Sequence, residues 1–531
     1  MIKDLIDYEV LYLDEQSQKL LKQKKNSEKK SKNSLDIFDL LPGNENKKKG
    51  KIESWQAEAF VRWIVEKLDE PQDAVWTDRS LFESWASYYS NTKGRNRFCC
   101  VTGICGAPSG QHPAKIRNDG DRAKLISSGV TRDKKGVEKV NDPSGFTFLG
   151  RFLTADQACS VGFEVTQKAH NALRWLVSRQ GYKRGSQAVV AWSTRGESIP
   201  NPLADGFDIF GLDEMQSDQP SQVSTAQDFS LRLKKKISGY GAKLGEDADI
   251  IIMGLDSATP GRMAITFYRE FNGTDFLKRI EDWHESCAWV HNYHMLEITD
   301  KNSGKKKKIH PKFVSAPAPN DIAEAAYGSK VDDKLKKSTV ERILPCIVDA
   351  RKIPRDLVES TVRRASNRAG KEDWEWRKTL SIACALYKKQ KKDYEGEELD
   401  MALDTNRKTR DYLYGRLLAL ADSLEQWALD KAGETRQTNA ARLMQRFADH
   451  PCSTWRIIAL KLKPYEARLG KYCRSRQNMI TEVTAMFNPD EFKIDTKLGG
   501  EFLLGYHCQK ENLWHKDAEI KVDEKQEDYV E

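Results

Sequence analysis

Three cysteines and a histidine crowd the stretch "CCVTGICGAPSGQHP", residues 99 to 113, and side chains of these types can hold zinc. The spacing speaks against it. Four residues separate Cys100 from Cys105 and no second cysteine pair follows nearby, so Cys99, Cys100, Cys105 and His112 are expected to pack in an irregular loop without metal. The glycines do not make a nucleotide loop either: no Walker spacing is present, Lys115 comes soon after a proline, and no strand-then-helix pattern brackets the segment. A second cluster, "HNYHMLE", spaces His291, His294 and Glu297 by three residues, and together with Asp256 these side chains have the chemistry of a hydrolytic metal site. Neither H-E-x-x-H nor another nuclease spacing occurs, and the expectation is a partly buried histidine pair on a helix beside Trp283 and Trp289.

Charge is the stronger signal. Residues 91 to 139 carry eleven Lys/Arg against four acids, within a chain whose net charge is only +8. Cations clustered beside glycines, where backbone can come close, suit a polyphosphate partner, and they suit a solvated loop as well. The lysine runs "LKQKKNSEKKSKN" (21 to 33), "NKKKGK" (46 to 51) and "SGKKKKIH" (303 to 310) lack apolar periodicity and read as solvated, partly disordered insertions.

These residues need a scaffold, and the chain is long enough to build one. It has 531 residues, 39% of them hydrophobic and 13 of them Trp, which is a globular composition despite 31% charged residues. Its ten cysteines show no framework spacing, as expected of thiols in a reducing compartment. No run approaches the ~18 apolar residues that span a bilayer, so a soluble, cytoplasmic protein is expected. Between residues 161 and 271 the texture is mixed. Val165, Ala169, Ala172, Leu173 and Leu176 recur at helical spacing, "AVVAW" (188 to 192) reads as a strand, and "DIIIMGLDS" and "RMAITFYREF" flank "ATPG" as a hairpin-like pair with Met263, Ile265 and Phe267 alternating. After "SAPAPND" (315 to 321) the pattern turns helical from about Leu335. Leu413, Leu417, Leu420, Leu424, Trp427 and Ala428 mark a long amphipathic helix, and a later stripe at Trp455, Ile458, Ala459 and Leu462 is expected to end or bend at Pro464. The predicted fold class is α+β: a mixed body with irregular basic loops followed by an all-α bundle.

Several segments, in order, resemble a known family. "C-x-V-T-G" (99 to 103), "HPAKI" (112 to 116), "AKLIS" (123 to 127), "FTFLG" (146 to 150) and "VVAW" (189 to 192) are followed by "LDSATPGRMAITFYRE" (255 to 270), "IPRDLVESTVRRAS" (353 to 366), "YLYGRLLALADSLEQWAL" (412 to 429) and "FLLGYHCQKENLW" (502 to 514). This series is similar to the large subunit of subtype I-C CRISPR Cascade, the Csd-type large-subunit family. Lysine-rich residues 21 to 51 look inserted relative to that pattern, "GVTRDKKGVEKV" (129 to 140) interrupts it, and Leu149 stands where an aromatic usually precedes the glycine.

The resemblance implies a non-catalytic subunit without cofactor. It would recognise a protospacer-adjacent motif in target double-stranded DNA, help to open the duplex, steady the displaced strand, join crRNA-bound backbone subunits and offer a platform to a helicase-nuclease. It implies three divisions: an α+β recognition domain over 1–330, with lysine-rich insertions near 21–51 and 301–308, a helical connector over 331–400, and a bundle over 401–531 resembling a Cascade small subunit. Such a small subunit would arise here from an internal start at Met401. Arg95, Arg97, Lys115, Arg117, Arg122 and Lys124 suit phosphates, Asn141 or Gln157 base edges, and Phe146 or Phe148 stacking, with Ser127, Ser128 and Arg151 as further DNA-binding or motif-reading candidates. Arg436, Arg442, Arg446, Lys461 and Lys463 suit the path of the displaced strand. A metal-dependent nuclease using His291, His294 and Asp256, and a stand-alone RNA-binding protein, are the alternatives.

Overall fold

The computed structural model describes residues 74–92, 97–109, 112–126, 160–211, 226–242, 244, 248–259, 261–299 and 306–513, with the short strands 43–46, 51–54, 131–132 and 138–139 and positions 7, 62 and 64 besides. The chain divides into two compact units, one formed by Met1–Cys99 and Gly103–Pro108, the other by Cys100–Thr102 and Ser109–Glu531.

In the first unit a helix spans Arg79–Thr92. Asp78 caps it, its Oδ1 accepting from the Ser80 N–H at 2.9 Å and the Ser80 hydroxyl at 2.7 Å. Gly43–Asn46 pairs antiparallel with Lys51–Ser54, so the two ends of the lysine-rich stretch 46 to 51, expected to be solvated and partly disordered, lie in a ladder. Arg97–Phe98 pairs with Cys105–Gly106, and the Gly103 N–H donates to the Cys99 carbonyl at 2.9 Å. Gly103 holds φ at 70°, a left-handed conformation that glycine enters without the Cβ clash.

The second unit is built on a four-stranded antiparallel sheet. Its strands are β1 (Tyr182–Arg184), β2 (Gln187–Ser193), β3 (Asp249–Thr259) and β4 (Arg262–Asn272), in spatial order β4-β3-β2-β1. β2 is buried on both faces, which explains its unbroken apolar run. Ala188 and Val190 point to a small core with Leu255, Met263, Ile116, Ala123 and the α1 helix (Phe163–Gln180) residues Leu173 and Val177. Val189 and Ala191 point the other way, into the main core with Ile250, Ile252, Leu233 and Ile237 of α2 (Ala226–Gly241), and Phe276 and Ile280 of α3 (Gly273–Ser286). β3 and β4 form the expected hairpin, but register shifts lie between Arg262 and Ala264 and between Ile265 and Phe267. Bulges of this kind re-aim side chains, and Ile265, expected to alternate with the inward positions, is 47% exposed.

Two segments differ from their expected local structure. The histidine cluster is not helical: Trp289–His291 pairs with Phe313–Ser315, residues 292–295 are irregular, and Leu296–Thr299 begins a second ladder. Its partner strand is Lys306–Ile309, so this end of the 301–308 lysine run, expected to be solvated and partly disordered, is a strand held by cross-strand hydrogen bonds.

Beyond residue 318 the described chain is helical, as expected for the C-terminal half. The principal elements are α4 (Pro319–Tyr327), α5 (Asp333–Val348), α6 (Arg355–Ser366), α7 (Asp373–Glu395), α8 (Arg410–Lys431), α9 (Asn439–Asp449), α10 (Pro451–Leu469), α11 (Arg474–Ala485) and α12 (501–513). α8 is not the one-sided amphipathic helix of its leucine stripe. It is buried on nearly every side, Asp422 and Glu425 included, because neighbours pack all round it. At its crossing with α12 the backbones nearly touch. A Cβ on Gly415 would lie 2.0 Å from the Phe502 carbonyl oxygen, and one on Gly505 2.2 Å from that of Tyr412. α10 continues past Pro464 to Leu469 rather than ending there. No helix among the described residues is long and apolar enough to cross a membrane.

Candidate functional site

The basic segment is positioned from its apolar residues outward. Ile116 and Ala123 are sunk in the small core beneath the sheet, and between them the chain closes on itself: the Lys115 N–H donates to the Asp121 carbonyl at 2.9 Å, and the Asp121 N–H to that of Asn118 at 3.1 Å. The Lys124 carbonyl accepts from the Met263 N–H at 3.0 Å, docking the segment on the edge strand β4 beside Arg262. Lys115 takes φ 62°, a conformation costly for a side-chain-bearing residue, and this one hydrogen-bonded closure holds it there.

Arg117 does not face outward. Only 6% exposed, its guanidinium meets Asp121 through two hydrogen bonds, the Ser257 hydroxyl at 3.0 Å, and the Ser186 carbonyl. A residue expected at a phosphate is thus enclosed, because the loop closure brings Asp121 against it and docking on the sheet brings Ser186 and Ser257. Burial alone would raise the Asp121 carboxyl, but hydrogen bonds from Arg117 and the Ala123 N–H hold it below the usual carboxylate range. Asp256 completes the network, accepting from the Ser186 hydroxyl at 2.6 Å and from Lys337 Nζ at 2.8 Å. Burial raises its carboxyl as well, and the Lys337 and Ser186 hydrogen bonds bring it down. Lys115 and Arg122 are left exposed and Lys124 half-buried, so the loop is rigid beneath and cationic above.

His112 turns inward too. Its Nδ1 lies 2.8 Å from the Thr166 hydroxyl, and burial, with His170 and Lys124 nearby, lowers its pKa to about 4. Helix α1 buries Thr166 and His170 along with Leu173 and Val177, a stripe rotated from the apolar one read in sequence. The three cysteines keep free thiols: Cys99 is buried, Cys100 and Cys105 exposed. Arg97 is half-buried in its strand. Arg95, Ser127, Ser128, Asn141, Phe146, Phe148, Arg151 and Gln157 lie outside the described residues.

The set His291, His294 and Asp256 is not assembled. His291 is enclosed between the Ser381 hydroxyl, 2.9 Å from Nδ1, and the Ser315 carbonyl, 3.2 Å from Nε2, and burial lowers its pKa to about 3. Asp256 belongs to the sheet network, and Glu297 is exposed on its strand. His294 instead stacks on Phe207, ring centroids 4.3 Å apart, and pairs with Asp205 at 2.6 Å. Burial would lower the His294 pKa, but Asp205 raises it. Asp205, His294 and Asp321 each offer one atom within 4.8 Å of the others, a donor set that can bind a divalent cation. Their charges already have partners: Lys378 reaches Asp321 at 2.6 Å and Glu324 at 2.8 Å, and Lys336 reaches Glu324 at 2.6 Å. Sequence reasoning missed Asp205 and Asp321. The one local cue was at Asp205, which caps the short helix Gly206–Phe210 by accepting from the Asp208 N–H.

Among the C-terminal cations, Arg436 is tied to Glu425, Glu434 and the Tyr465 hydroxyl. Arg442 and Arg446 are exposed on α9, and Lys461 and Lys463 on α10, where Lys463 pairs with Glu466 at 2.9 Å.

The family model described as CRISPR-associated protein (Cas_Csd1) matches residues 12–514. No curated protein matches the chain.

Proposed function

We propose, since this chain belongs to the CRISPR-associated Cas_Csd1 family, that it acts without catalysis as the large subunit of a crRNA-guided Cascade complex in the cytoplasm. Membership supports the large-subunit role in general. The finer reading is that the chain recognises a protospacer-adjacent motif in target duplex DNA, helps to open it, steadies the displaced strand, contacts the crRNA-bound backbone subunits and recruits the helicase-nuclease. A small helical subunit begun at Met401 would repeat the bundle.

One observation carries the DNA-binding part: the loop from Lys115 to Lys124 is pinned by Ile116, Ala123 and the Arg117–Asp121 pair while Lys115 and Arg122 stay exposed. The pinned backbone fixes where Lys115 and Arg122 project, and in RNA-guided recognition the protein supplies backbone contacts while base pairing supplies sequence.

A salt series of duplex target binding by the guide complex tests this reading. Lys115→Gln with Arg122→Gln is expected to lower the log–log salt slope by about 1.8, at roughly 0.9 for each lost phosphate contact, with guide assembly intact. An unchanged slope would assign the loop to ordinary surface.

A further inference from the structure

We propose that the surface where α8 ends and α11 begins is a platform for single-stranded DNA, on which Tyr472 stacks with a base while Lys431, Lys471 and Arg474 meet phosphates. This deepens the reading above by naming a surface for the displaced strand, and it rests on that reading only for which strand arrives.

The residues come from three elements. Trp427 and Lys431 end α8, Lys471 and Tyr472 lie in the 3-10 turn Gly470–Cys473, and Arg474 and Arg476 begin α11. Rings and cations interleave. Lys431 Nζ stands 5.0 Å from the Trp427 ring centroid and 4.2 Å from that of Tyr472, Lys471 Nζ stands 5.6 Å from Tyr472, and the Arg476 guanidinium carbon stands 4.7 Å from Trp427. Arg476 Nε donates to the Ser423 hydroxyl at 3.2 Å, which orients its plane. Tyr472 is 58% exposed, so its ring is open to a partner.

Lys431, Lys471 and Arg474 make no ion pair among the described residues, and Glu434, which follows α8, is taken by Arg436 and Arg468. Protein–protein interfaces are depleted of lysine at their centres, whereas here two lysines lie directly against the exposed ring. Three cations without an ion pair among the described residues, set around an open aromatic face, match a polyanion that carries flat rings of its own. A lysine over the ring blocks nothing: its four-carbon stem is flexible, so a stacking base displaces the ammonium toward the adjoining phosphate.

The test measures binding of labelled oligo-dT, an abasic strand of equal length and oligo-rU to the full-length chain without guide. Tyr472→Ala is expected to weaken oligo-dT binding about tenfold, within the range for one lost base–aromatic stack. Tyr472→Phe should bind as the parent does, and the abasic strand should bind the parent and Tyr472→Ala equally. Lys431→Gln with Lys471→Gln should lower the single-strand salt slope by about 1.4. Equal oligo-dT binding by Tyr472→Ala and parent would overturn the proposal, as would an equal loss on dT and abasic strands, or binding of oligo-rU alone. Because no guide, motif or duplex is present, failure here leaves the Lys115 and Arg122 salt test untouched, and the reverse holds.

Discussion

Arg117 and Asp121 sit side by side, with Nε donating to Oδ2 at 2.8 Å and Nη2 to Oδ1 at 2.9 Å, and both side chains almost closed to solvent. The pair staples the segment on which Lys115 and Arg122 are displayed. Deleting one member would leave a buried charge alone, which costs about 3–5 kcal/mol. Arg117→Ala is expected to lose stability on that scale in urea denaturation. Arg117→Lys should recover little, because an ammonium cannot reproduce the two-pronged contact. A loss below about 1 kcal/mol would mean that the pair behaves as a surface ion pair.

Buried histidines make acid destabilising. Burial lowers the pKa of His291 to about 3 and those of His112 and His284 to about 4, whereas unfolded histidine titrates near ~6.5. As pH falls from that value toward the folded ones, the unfolded chain binds more protons than the folded chain, so stability falls. Each histidine contributes at most about 1.4 kcal/mol per pH unit. His294 acts oppositely: its raised pKa adds stability present at low pH and lost as pH rises through the folded value. Denaturation at pH 7 and pH 5 (about where the three buried rings and their unfolded counterparts differ most) should show a net loss. His291→Asn should flatten the slope by up to one proton, and a slope identical to the parent's would contradict the burial of a neutral ring.

The α8–α12 crossing leaves no room for a methyl group. Gly to Ala in a helix interior ordinarily stabilises by about 1 kcal/mol, yet Gly415→Ala would set its Cβ 2.0 Å from the Phe502 carbonyl oxygen. Overpacking of this kind costs about 1–3 kcal/mol, and a backbone atom cannot step aside as a side chain does. Thermal melting should show a lower midpoint for Gly415→Ala, while Gly239→Ala in α2, where an added Cβ meets nothing within 4 Å, should not lower it. A raised midpoint for Gly415→Ala would show that the helices can part without cost.

Much of the framework was legible because its signals are local. An apolar run of five residues marked β2, two apolar stretches around "ATPG" marked the β3–β4 hairpin, and leucines at helical spacing marked α8. The histidine cluster misled for the same reason. Spacing by three suggests a helix, but cross-strand pairing of Trp289–His291 with Phe313–Ser315 decided the conformation, and the partner strand is remote in sequence. The bulges that expose Ile265 belong likewise to the register between strands.

For the site, the sequence by itself determined that cations concentrate between residues 91 and 139 and that a mixed body precedes a helical one, since composition and periodicity need no partner to be read. Only the tertiary structure decided which cations remain for a ligand. Arg117 and Arg122 are the same residue type five positions apart, but one is folded under the loop onto Asp121 and Ser257 while the other stays in water. Likewise Asp205 and Asp321 reach His294, Lys337 reaches Asp256, and Tyr472 meets Lys431, all across separations that no local pattern spans. Which polar groups face each other is set by how buried apolar residues pack, and that packing minimises exposed surface over the whole unit rather than within any one segment.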